Sequence, residues 1–208
     1  MDVLERLFPG LADYEARGIP TWDDPNLPWT ILGDNMFGLS SQIEKLSPGG
    51  SFTFIHESAI IGDFVEIEDG CFIGKNAEIK HCAFLRKGSW ICEGAVVGHS
   101  TEVKNSVLLP YSKAPHFNYV GDSILGIGAN LGAGVKLSNV RHDRKEVFVT
   151  LEDDSRVNTG LKKMGALVGN GSQIGCNTVT NPGVIIYPDS MIPPNLTVNG
   201  RFMPAIMS

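Results

Sequence analysis

The sequence lacks a long apolar run, an excess of basic residues and a dense set of cysteines, and each absence excludes a class of protein. No apolar run reaches the ~18 residues that a membrane helix needs, and the N-terminus has no signal-peptide pattern. The 208 residues carry 17 Lys and Arg against 23 Asp and Glu, a net charge of −6, which argues against nucleic-acid binding. The four cysteines have no metal-binding spacing, so we expect a reduced, cytoplasmic protein that binds neither membrane nor nucleic acid.

A six-residue repeat dominates residues 55–109. Neither the 3.6-residue period of a helix nor the two-residue period of a strand produces such a pattern. Large aliphatic residues occupy every sixth position: Ile55, Ile61, Ile67, Ile73, Ile79, Leu85, Ile91, Val97, Val103 and Leu109. A small or β-branched residue follows four positions after each of the first nine. A repeat this short predicts one strand and one corner per unit, stacked so that neighbouring units bury each other's apolar faces.

Three such units close a triangular coil of eighteen residues, with the next coil about 4.8 Å above it. Ile61, Ile79 and Val97 are then expected to stack in one ladder on the axis. Glycines after the aliphatic residue, as at Gly62 and Gly98, suit the sharp backbone of a corner. The pattern therefore predicts an all-β fold, a parallel β-helix. An antiparallel β-sandwich is the alternative, but the turn signals are too regular for it.

Residues 1–50 lack the repeat and are predicted to form a short helical and loop segment. Residues 2–8 can form a helix that Pro9-Gly10 stops, and residues 35–46 can form a second helix. We expect this segment to cover the open end of the β-helix, whose first strand edges would otherwise be exposed.

The β-helix is predicted over residues 51–195, with Pro193-Pro194 ending the repeat and residues 196–208 forming a C-terminal tail. Two breaks in the repeat, residues 110–122 and 138–166, are predicted to be loop excursions. Loops on a rigid scaffold are where function concentrates. These two hold His116 and most of the clustered basic residues of an acidic chain, which is the first indication of a functional site.

Residues 113–122 (KAPHFNYVGD), then residues 130–134 (NLGAG) and Asn139, resemble the acetyltransferase domain of the bifunctional N-acetylglucosamine-1-phosphate uridyltransferase/glucosamine-1-phosphate acetyltransferase. Residues 138–169 are similar to the archaeal sugar-1-phosphate acetyltransferase/nucleotidyltransferases, which share the second excursion. The resemblance covers about 140 residues, from about residue 51 to residue 193.

This resemblance implies a left-handed β-helix and a homotrimer with sites between neighbouring subunits. It implies an acyltransferase that moves an acetyl group from acetyl-CoA, its cosubstrate, to a hexosamine 1-phosphate in amino-sugar nucleotide biosynthesis. No metal is required for this reaction. Residues 1–47 are too short for the uridyltransferase domain and have no glycine-rich nucleotide loop, so we expect that domain to be absent from this chain.

Carried over residue by residue, the resemblance implies that His116 is the catalytic base. The backbone amide of Ala133 would point at the thioester carbonyl, and Cys176 stands where the family has a serine near the amino group and the thioester. The implied substrate contacts, the first three of them to the sugar phosphate, are Arg86, Lys104, Tyr119, Asn130, Asn139 and Lys145.

These residue types suit the chemistry. A sugar amine must lose a proton before it attacks a thioester, and a histidine with an unperturbed pKa of ~6.5 suits that role. The attack creates an oxyanion that a backbone N–H can stabilise. Arg86 and Lys104 are eighteen residues apart, so they are expected to stack about 5 Å apart, where they repel each other unless an anion lies near them.

Two other functions stay open. A zinc hydratase of the γ-carbonic-anhydrase type shares the fold, and His81 and His99 would stack, but zinc needs three protein ligands and no third His falls at a matching place. A degenerate, non-catalytic relative that binds sugar nucleotides or serves as an assembly module is the second, because the partner domain is missing and Cys176 replaces a serine.

Overall fold

The computed structural model describes residues 1–46 and 53–204. Most of these residues form a parallel β-helix of two- to four-residue strands. The first fifteen strands, in chain order, are β1 Phe54–Ile55, β2 Ile60–Ile61, β3 Glu66–Ile67, β4 Phe72–Ile73, β5 Glu78–Ile79, β6 Phe84–Leu85, β7 Trp90–Ile91, β8 Val96–His99, β9 Glu102–Lys104, β10 Val107–Leu108, β11 Lys113–His116, β12 Tyr119–Gly121, β13 Ile124–Leu125, β14 Asn130–Leu131 and β15 Lys136–Leu137.

A hairpin interrupts the β-helix at this point, and seven further strands then continue it. The hairpin strands are β16 Phe148–Thr150 and β17 Arg156–Asn158. The strands after the hairpin are β18 Ala166–Val168, β19 Gln173–Ile174, β20 Val179–Thr180, β21 Val184–Ile186, β22 Met191–Ile192, β23 Thr197–Val198 and β24 Arg201–Phe202.

Three parallel sheets form the faces of the helix. Face A has the strand order β1-β4-β7-β10-β13-β18-β21-β24, face B has β2-β5-β8-β11-β14-β19-β22, and face C has β3-β6-β9-β12-β15-β20-β23. One strand from each face makes a coil. Coils 1 to 5 are β1–β3, β4–β6, β7–β9, β10–β12 and β13–β15, and after the hairpin β18–β20 form coil 6 and β21–β23 form coil 7. Ile61 pairs with Ile79 and Ile79 with Val97, which confirms the predicted ladder. The fold is the left-handed parallel β-helix that the family resemblance implies.

The corner between faces B and C is built the same way on every coil. Its turning residue has a positive φ on each of the seven coils: Phe64, Cys82, Ser100, Phe117, Gly134, Asn177 and Asn195. Because only one of the seven is glycine, the stacked hydrogen bonds of the corner must hold side-chain-bearing residues in the left-handed region.

The predicted loop at residues 110–122 is wrong, because these residues form β11 and β12 in a regular coil. The aliphatic position after Val103 is Leu108, five residues on, and Leu108 pairs with both Ile91 and Leu125. Leu109 therefore lies outside the axis. It belongs to a second apolar cluster, which also includes Trp29, Phe72, Trp90 and Val147. The corners between faces C and A that precede Leu108 and Leu125 are each one residue shorter, so two successive coils have seventeen residues, and the strands still pair.

The predicted tail also differs from the structure, since β23 and β24 continue faces C and A. Pro193 follows Ile192 at the top of face B. One coil lower, the N–H of Gly175 donates to the Ile192 carbonyl at 2.8 Å. In the described residues no face B strand lies above Pro193, so its missing N–H costs no hydrogen bond there.

The second excursion leaves the β-helix after Leu137 and returns at Ala166. Its strands β16 and β17 pair antiparallel, and an isolated bridge joins Val140 to Lys163. Val147 and Val149 are fully buried and anchor the hairpin in the second apolar cluster.

The N-terminal segment contains two α-helices, α1 Val3–Leu7 and α2 Leu39–Leu46, and two 3₁₀-helices, Leu11–Arg17 and Pro28–Leu32. Asp2 caps α1 by accepting the N–H of Glu5 at 2.8 Å. Both predicted helices are therefore confirmed, although α2 starts four residues later than expected. None of the helices in the described part of the chain has the length and apolar character of a membrane span.

The prediction that the segment covers the open end of the β-helix is wrong for its described part, residues 1–46, which packs on the outside of face A. The outward residues of that face are apolar, and Phe72 stacks between Phe54 and Trp90 at centroid distances of 5.0 and 4.5 Å. Trp90 donates its Nε1–H to the Gly18 carbonyl at 2.7 Å. At the lower end, Phe64 is 88% exposed. The predicted domain boundary between residues 50 and 51 lies outside the described residues.

Candidate functional site

Three residues implicated by the resemblance lie in one column at the corner between faces B and C. The N–H groups of Gly134, Asn177 and Asn195 donate to the carbonyls of His116, Ala133 and Cys176 at 3.1, 2.8 and 2.9 Å. Each of these carbonyl residues immediately precedes the positive-φ residue of its own coil, so the three occupy one position on coils 4, 5 and 6. Successive members are about 4.8 Å apart along the axis.

The backbone around His116 is tightly held, whereas its imidazole is exposed. The His116 N–H donates to Oδ1 of Asn118 at 3.0 Å. The N–H of Phe117 donates to the His99 carbonyl at 2.7 Å, which fixes the corner to the coil below. Within the described residues the imidazole makes no hydrogen bond, so it can receive a proton from a ligand.

The column also contains His99 and His81 below His116. The predicted stacking of His81 and His99 is confirmed, with ring centroids 4.2 Å apart and an interplanar angle of 21°. The expectation that no third His matches is wrong, because His116 pairs with His99 across the seventeen-residue coil. Stacked rings direct their in-plane lone pairs side by side and not toward a common point. In the part of the chain that the structure describes, no group of three or more His, Cys, Asp or Glu is placed to hold a metal ion.

Arg86 and Lys104 stack on face C, because the residues just before them, Leu85 and Val103, pair. Each cation already faces a carboxylate of the chain. Arg86 lies 3.0 Å from Glu102 and 3.7 Å from Glu68, and Lys104 lies 3.8 Å from Asp122. The hydrogen bond that Arg86 donates to Glu102 is the main cause of the raised pKa of Arg86. The protein itself therefore supplies an anion beside each of the two cations.

Asp122 links three of the implicated residues on face C. Its carboxylate is almost fully buried; it faces Lys104, accepts the Nδ2–H of Asn139 and accepts the Nδ2–H of Asn105 at 2.8 Å. The amide of Asn139 in turn lies close to the phenol of Tyr119. Burial raises the pKa of the Tyr119 phenol, and the carboxylates of Glu102 and Asp122 raise it further. The phenol is thus held neutral, as a hydrogen-bond donor.

The structure does not bring Asn130 and Lys145 into this cluster. Asn130 lies on face B, between Lys113 and Gln173 on the neighbouring coils. Lys145 is exposed in the second excursion, and its backbone N–H donates to Asp143 at 3.2 Å. Beside this excursion lies a cavity of about 820 Å³, whose lining includes Arg141, Phe148, Arg156, Asn181 and Asn199.

Sequence reasoning missed Asn118 and Asp122, which organise the site. In the sequence, the missed signal is a polar amide at an inward position of the repeat, where the coils on either side have Thr101 and Val135. In the structure, Asn118 is 3% exposed. Asp122 ends the motif that carries the resemblance, but only the folded chain shows that it faces Lys104 and Asn139 together.

No family model matches the chain. It is 37% identical over 197 residues to the bifunctional sugar-1-phosphate nucleotidylyltransferase/acetyltransferase of Sulfurisphaera tokodaii, a match that covers 91% of this chain and 48% of that protein. It is 35% identical over 207 residues to the bifunctional protein GlmU of Methanococcus maripaludis strain C5, covering 95% of this chain and 49% of that protein. The chain thus spans about half the length of these curated relatives.

Among solved structures, a GDP-perosamine N-acetyl transferase of Caulobacter crescentus, in complex with CoA and GDP-perosamine, matches with a TM-score of 0.41 and 16% identity, over 72% of this chain and 53% of that one. An Arabidopsis UDP-N-acetylglucosamine acyltransferase also gives a TM-score of 0.41, with 15% identity, over 75% of this chain and 59% of that one. Over nearly its whole length, this chain is therefore similar to about half of the bifunctional sugar-1-phosphate nucleotidylyltransferase/acetyltransferases, and it folds as the parallel β-helix of the hexapeptide repeat.

Proposed function

We propose that the chain transfers an acetyl group from acetyl-CoA to the amino group of a hexosamine 1-phosphate, with His116 as the general base. The observation that carries this proposal is the column at the corner between faces B and C. It places an exposed imidazole one coil below the N–H of Ala133, which donates to no acceptor in the described residues. A base and an available backbone donor at this separation are what acyl transfer needs.

In the proposed reaction, His116 takes a proton from the sugar ammonium, and the amine attacks the thioester carbonyl. The new C–N bond gives a tetrahedral intermediate, whose oxyanion accepts the N–H of Ala133. The C–S bond then breaks and the CoA thiolate leaves. The proton held by His116 neutralises the thiolate, and the nitrogen of the new amide loses its extra proton to solvent. Cys176 lies one coil above Ala133, where its thiol is a weaker hydrogen-bond donor than the serine of the family.

Face C supplies the proposed sugar-phosphate contacts. Arg86 and Lys104 are stacked cations with side chains 36% and 23% exposed, and Tyr119 and Asn139 add polar groups beside them. A phosphate dianion would share Arg86 with Glu102 and gain a charge-assisted hydrogen bond. Two further proposed contacts, to other parts of the substrate, are Asn130 and Lys145.

A homotrimer forms part of the proposal. Within one chain, His116 lies at the edge of face C next to face B, whereas Lys104 pairs with Gly121 at the opposite edge. A neighbouring subunit that packs against face C would bring its own residues to complete the site. We also propose a role in amino-sugar nucleotide biosynthesis and a cytoplasmic location, as inferred from the sequence, with no metal required.

The experiment is a thiol-release assay with acetyl-CoA and glucosamine 1-phosphate. His116→Ala should reduce kcat about 100-fold or more, with little change in Tm, because the imidazole is exposed. His81→Ala is the matched control: it removes an exposed imidazole two coils lower at the same corner and should leave turnover unchanged. Unchanged turnover in His116→Ala would remove the base assignment.

Two other outcomes favour the alternatives. A wild-type protein that releases no thiol but binds a sugar nucleotide would favour a non-catalytic binding module. Stoichiometric zinc in the purified protein, together with carbon dioxide hydration, would favour the zinc enzyme, whose candidate ligands are the stacked histidines. Light scattering that gives a monomer would contradict the shared site.

A further inference from the structure

We propose that Asn118 is a positioning residue that sets the His116 base and the Ala133 oxyanion donor relative to each other. This inference rests on the proposed function of the column. Asn118 is 3% exposed, and its side chain reaches the corner of its own coil and the corner of the coil above. It touches neither substrate nor cofactor in this role; it acts through two backbone groups.

The first of these groups is the N–H of His116, which donates to Oδ1 of Asn118 at 3.0 Å. The residue between them, Phe117, is not glycine but has a φ of 36°, in the sparsely populated left-handed region. Such a backbone persists only where the surroundings over-determine it. The Asn118 N–H donates to Oγ1 of Thr101 at 3.1 Å, so the corner is fixed from below as well.

The second group is the carbonyl of Gly132, which accepts Nδ2–H of Asn118 at 2.7 Å. This carbonyl and the N–H of Ala133 belong to the same planar peptide group and point in opposite directions. Glycine leaves that peptide free to rotate, so the hydrogen bond to its oxygen also fixes the direction of the N–H. A hydrogen bond to the carbonyl polarises the peptide and strengthens its N–H as a donor.

Only an amide provides both contacts. The inward residues at the same position on coils 3 and 6, Thr101 and Thr178, donate their hydroxyls to single carbonyls, those of Ala114 and Pro193, at 3.1 Å each. Val135, at this position on coil 5, has no hydrogen-bonding group in its side chain. Asn118 offers an acceptor to the base residue and a donor to the oxyanion peptide from two separate atoms, whereas a hydroxyl must serve both groups from one atom and a carboxylate has no donor.

Two variants separate this role from packing. Asn118→Asp keeps an acceptor for the His116 N–H but loses the donor to Gly132, and Asn118→Thr copies the residue found one coil below. We expect both to lower kcat about 10–100-fold, with KM for glucosamine 1-phosphate changed less than about threefold, since the reacting groups are displaced while the substrate contacts on face C remain. Ser190→Ala is the control, because it loses a comparable buried bond, from Oγ to the Tyr187 carbonyl at 2.6 Å, on coil 7.

Each result has a defined meaning. A folded Asn118→Asp or Asn118→Thr protein with wild-type kcat overturns the positioning role. A fall in kcat that Ser190→Ala shares at equal loss of Tm also overturns it, because general destabilisation then explains the effect. In the His116→Ala background, Asn118→Thr should cause a smaller loss than in the wild type, since the base is gone and only the Ala133 donor is still displaced; a full additional loss would contradict the inference. No thiol release by the wild-type protein would instead overturn the proposed function itself.

Discussion

Replacing Thr180 by Val should stabilise the protein. Thr180 occupies an aliphatic position of the repeat, in register with Leu137 below and Val198 above. It is fully buried, and its hydroxyl has no hydrogen-bond partner in the described residues. The sequence pattern already shows Thr at a place where the repeat has aliphatic residues, and the structure shows that no carbonyl compensates the hydroxyl.

The expected gain follows from the unpaired hydroxyl. Burying a polar group without a partner costs about 1–3 kcal/mol, and Val has nearly the shape of Thr. We therefore expect the free energy of unfolding to rise by about 1–2 kcal/mol. For a chain of this length each kcal/mol shifts Tm by about 2–4 °C, so Tm should rise by about 2–8 °C.

Thermal unfolding of wild type and variant, at one scan rate and protein concentration, measures the shift. Thr178→Val is the matched control on the same coil. Thr178 is also fully buried, but its hydroxyl donates to the Pro193 carbonyl at 3.1 Å, so the same substitution should lower the free energy of unfolding by about 1 kcal/mol. The structure therefore predicts that Thr180→Val raises Tm and that Thr178→Val lowers it.

A lower or unchanged Tm for Thr180→Val would refute this reasoning. It would mean that the Thr180 hydroxyl has a partner, such as a buried water, which the Val methyl group displaces. The comparison with Thr178→Val keeps the test decisive, because any general effect of adding a methyl group to coil 6 acts on both variants.

The remaining predictions concern the second apolar cluster and the thiols. Trp90→Ala should lower the free energy of unfolding by about 3–5 kcal/mol, because Trp90 is 2% exposed and joins the N-terminal segment to face A; chemical denaturation measures the loss. Burial raises the pKa of the Cys71 thiol to about 12 and raises that of Cys92 well above its usual value, so both stay protonated at pH 8. A disulfide reagent at pH 8 should therefore label only the exposed Cys82 and Cys176 rapidly in the native protein, and all four thiols in denaturant.

Both predictions have clear controls. Phe64→Ala removes an aromatic side chain that is 88% exposed and should change stability by less than about 0.5 kcal/mol. If Trp90→Ala were equally harmless, the packing of the N-terminal segment on face A would be wrong. Rapid labelling of more than two thiols in the native state would contradict the burial of Cys71 and Cys92.

The six-residue period determined the fold. An aliphatic residue that recurs at this spacing has one packing solution in which every copy is buried, so the ladder through Ile61, Ile79 and Val97 could be predicted. The same spacing predicted the stacking of Arg86 on Lys104 and of His81 on His99, because residues one coil apart are always neighbours.

Spacing was misleading where the chain shortened two successive corners by one residue each. The loss at the corner before Leu108 shifted the period, so a regular coil was predicted as a loop and His116 was not recognised above His99. Hydrogen bonding between neighbouring strands tolerates such a deletion at a corner, whereas a fixed count along the sequence does not. The apolar outer positions Phe72 and Trp90 did signal a covered face, but the prediction placed the N-terminal segment elsewhere.

The sequence alone therefore determined the coiled scaffold, because the six-residue period recurs many times and each repeat favours the same strand and corner. Only the tertiary structure decided that His116, Ala133 and Cys176 share one corner and that Asn118 joins two of them, since 17 and 43 residues separate the members of that column along the chain. Which side chains meet in such a site depends on which residue of each coil falls at the corner between faces B and C. Shortening a coil by one residue changes that residue, while the composition of the repeat stays the same.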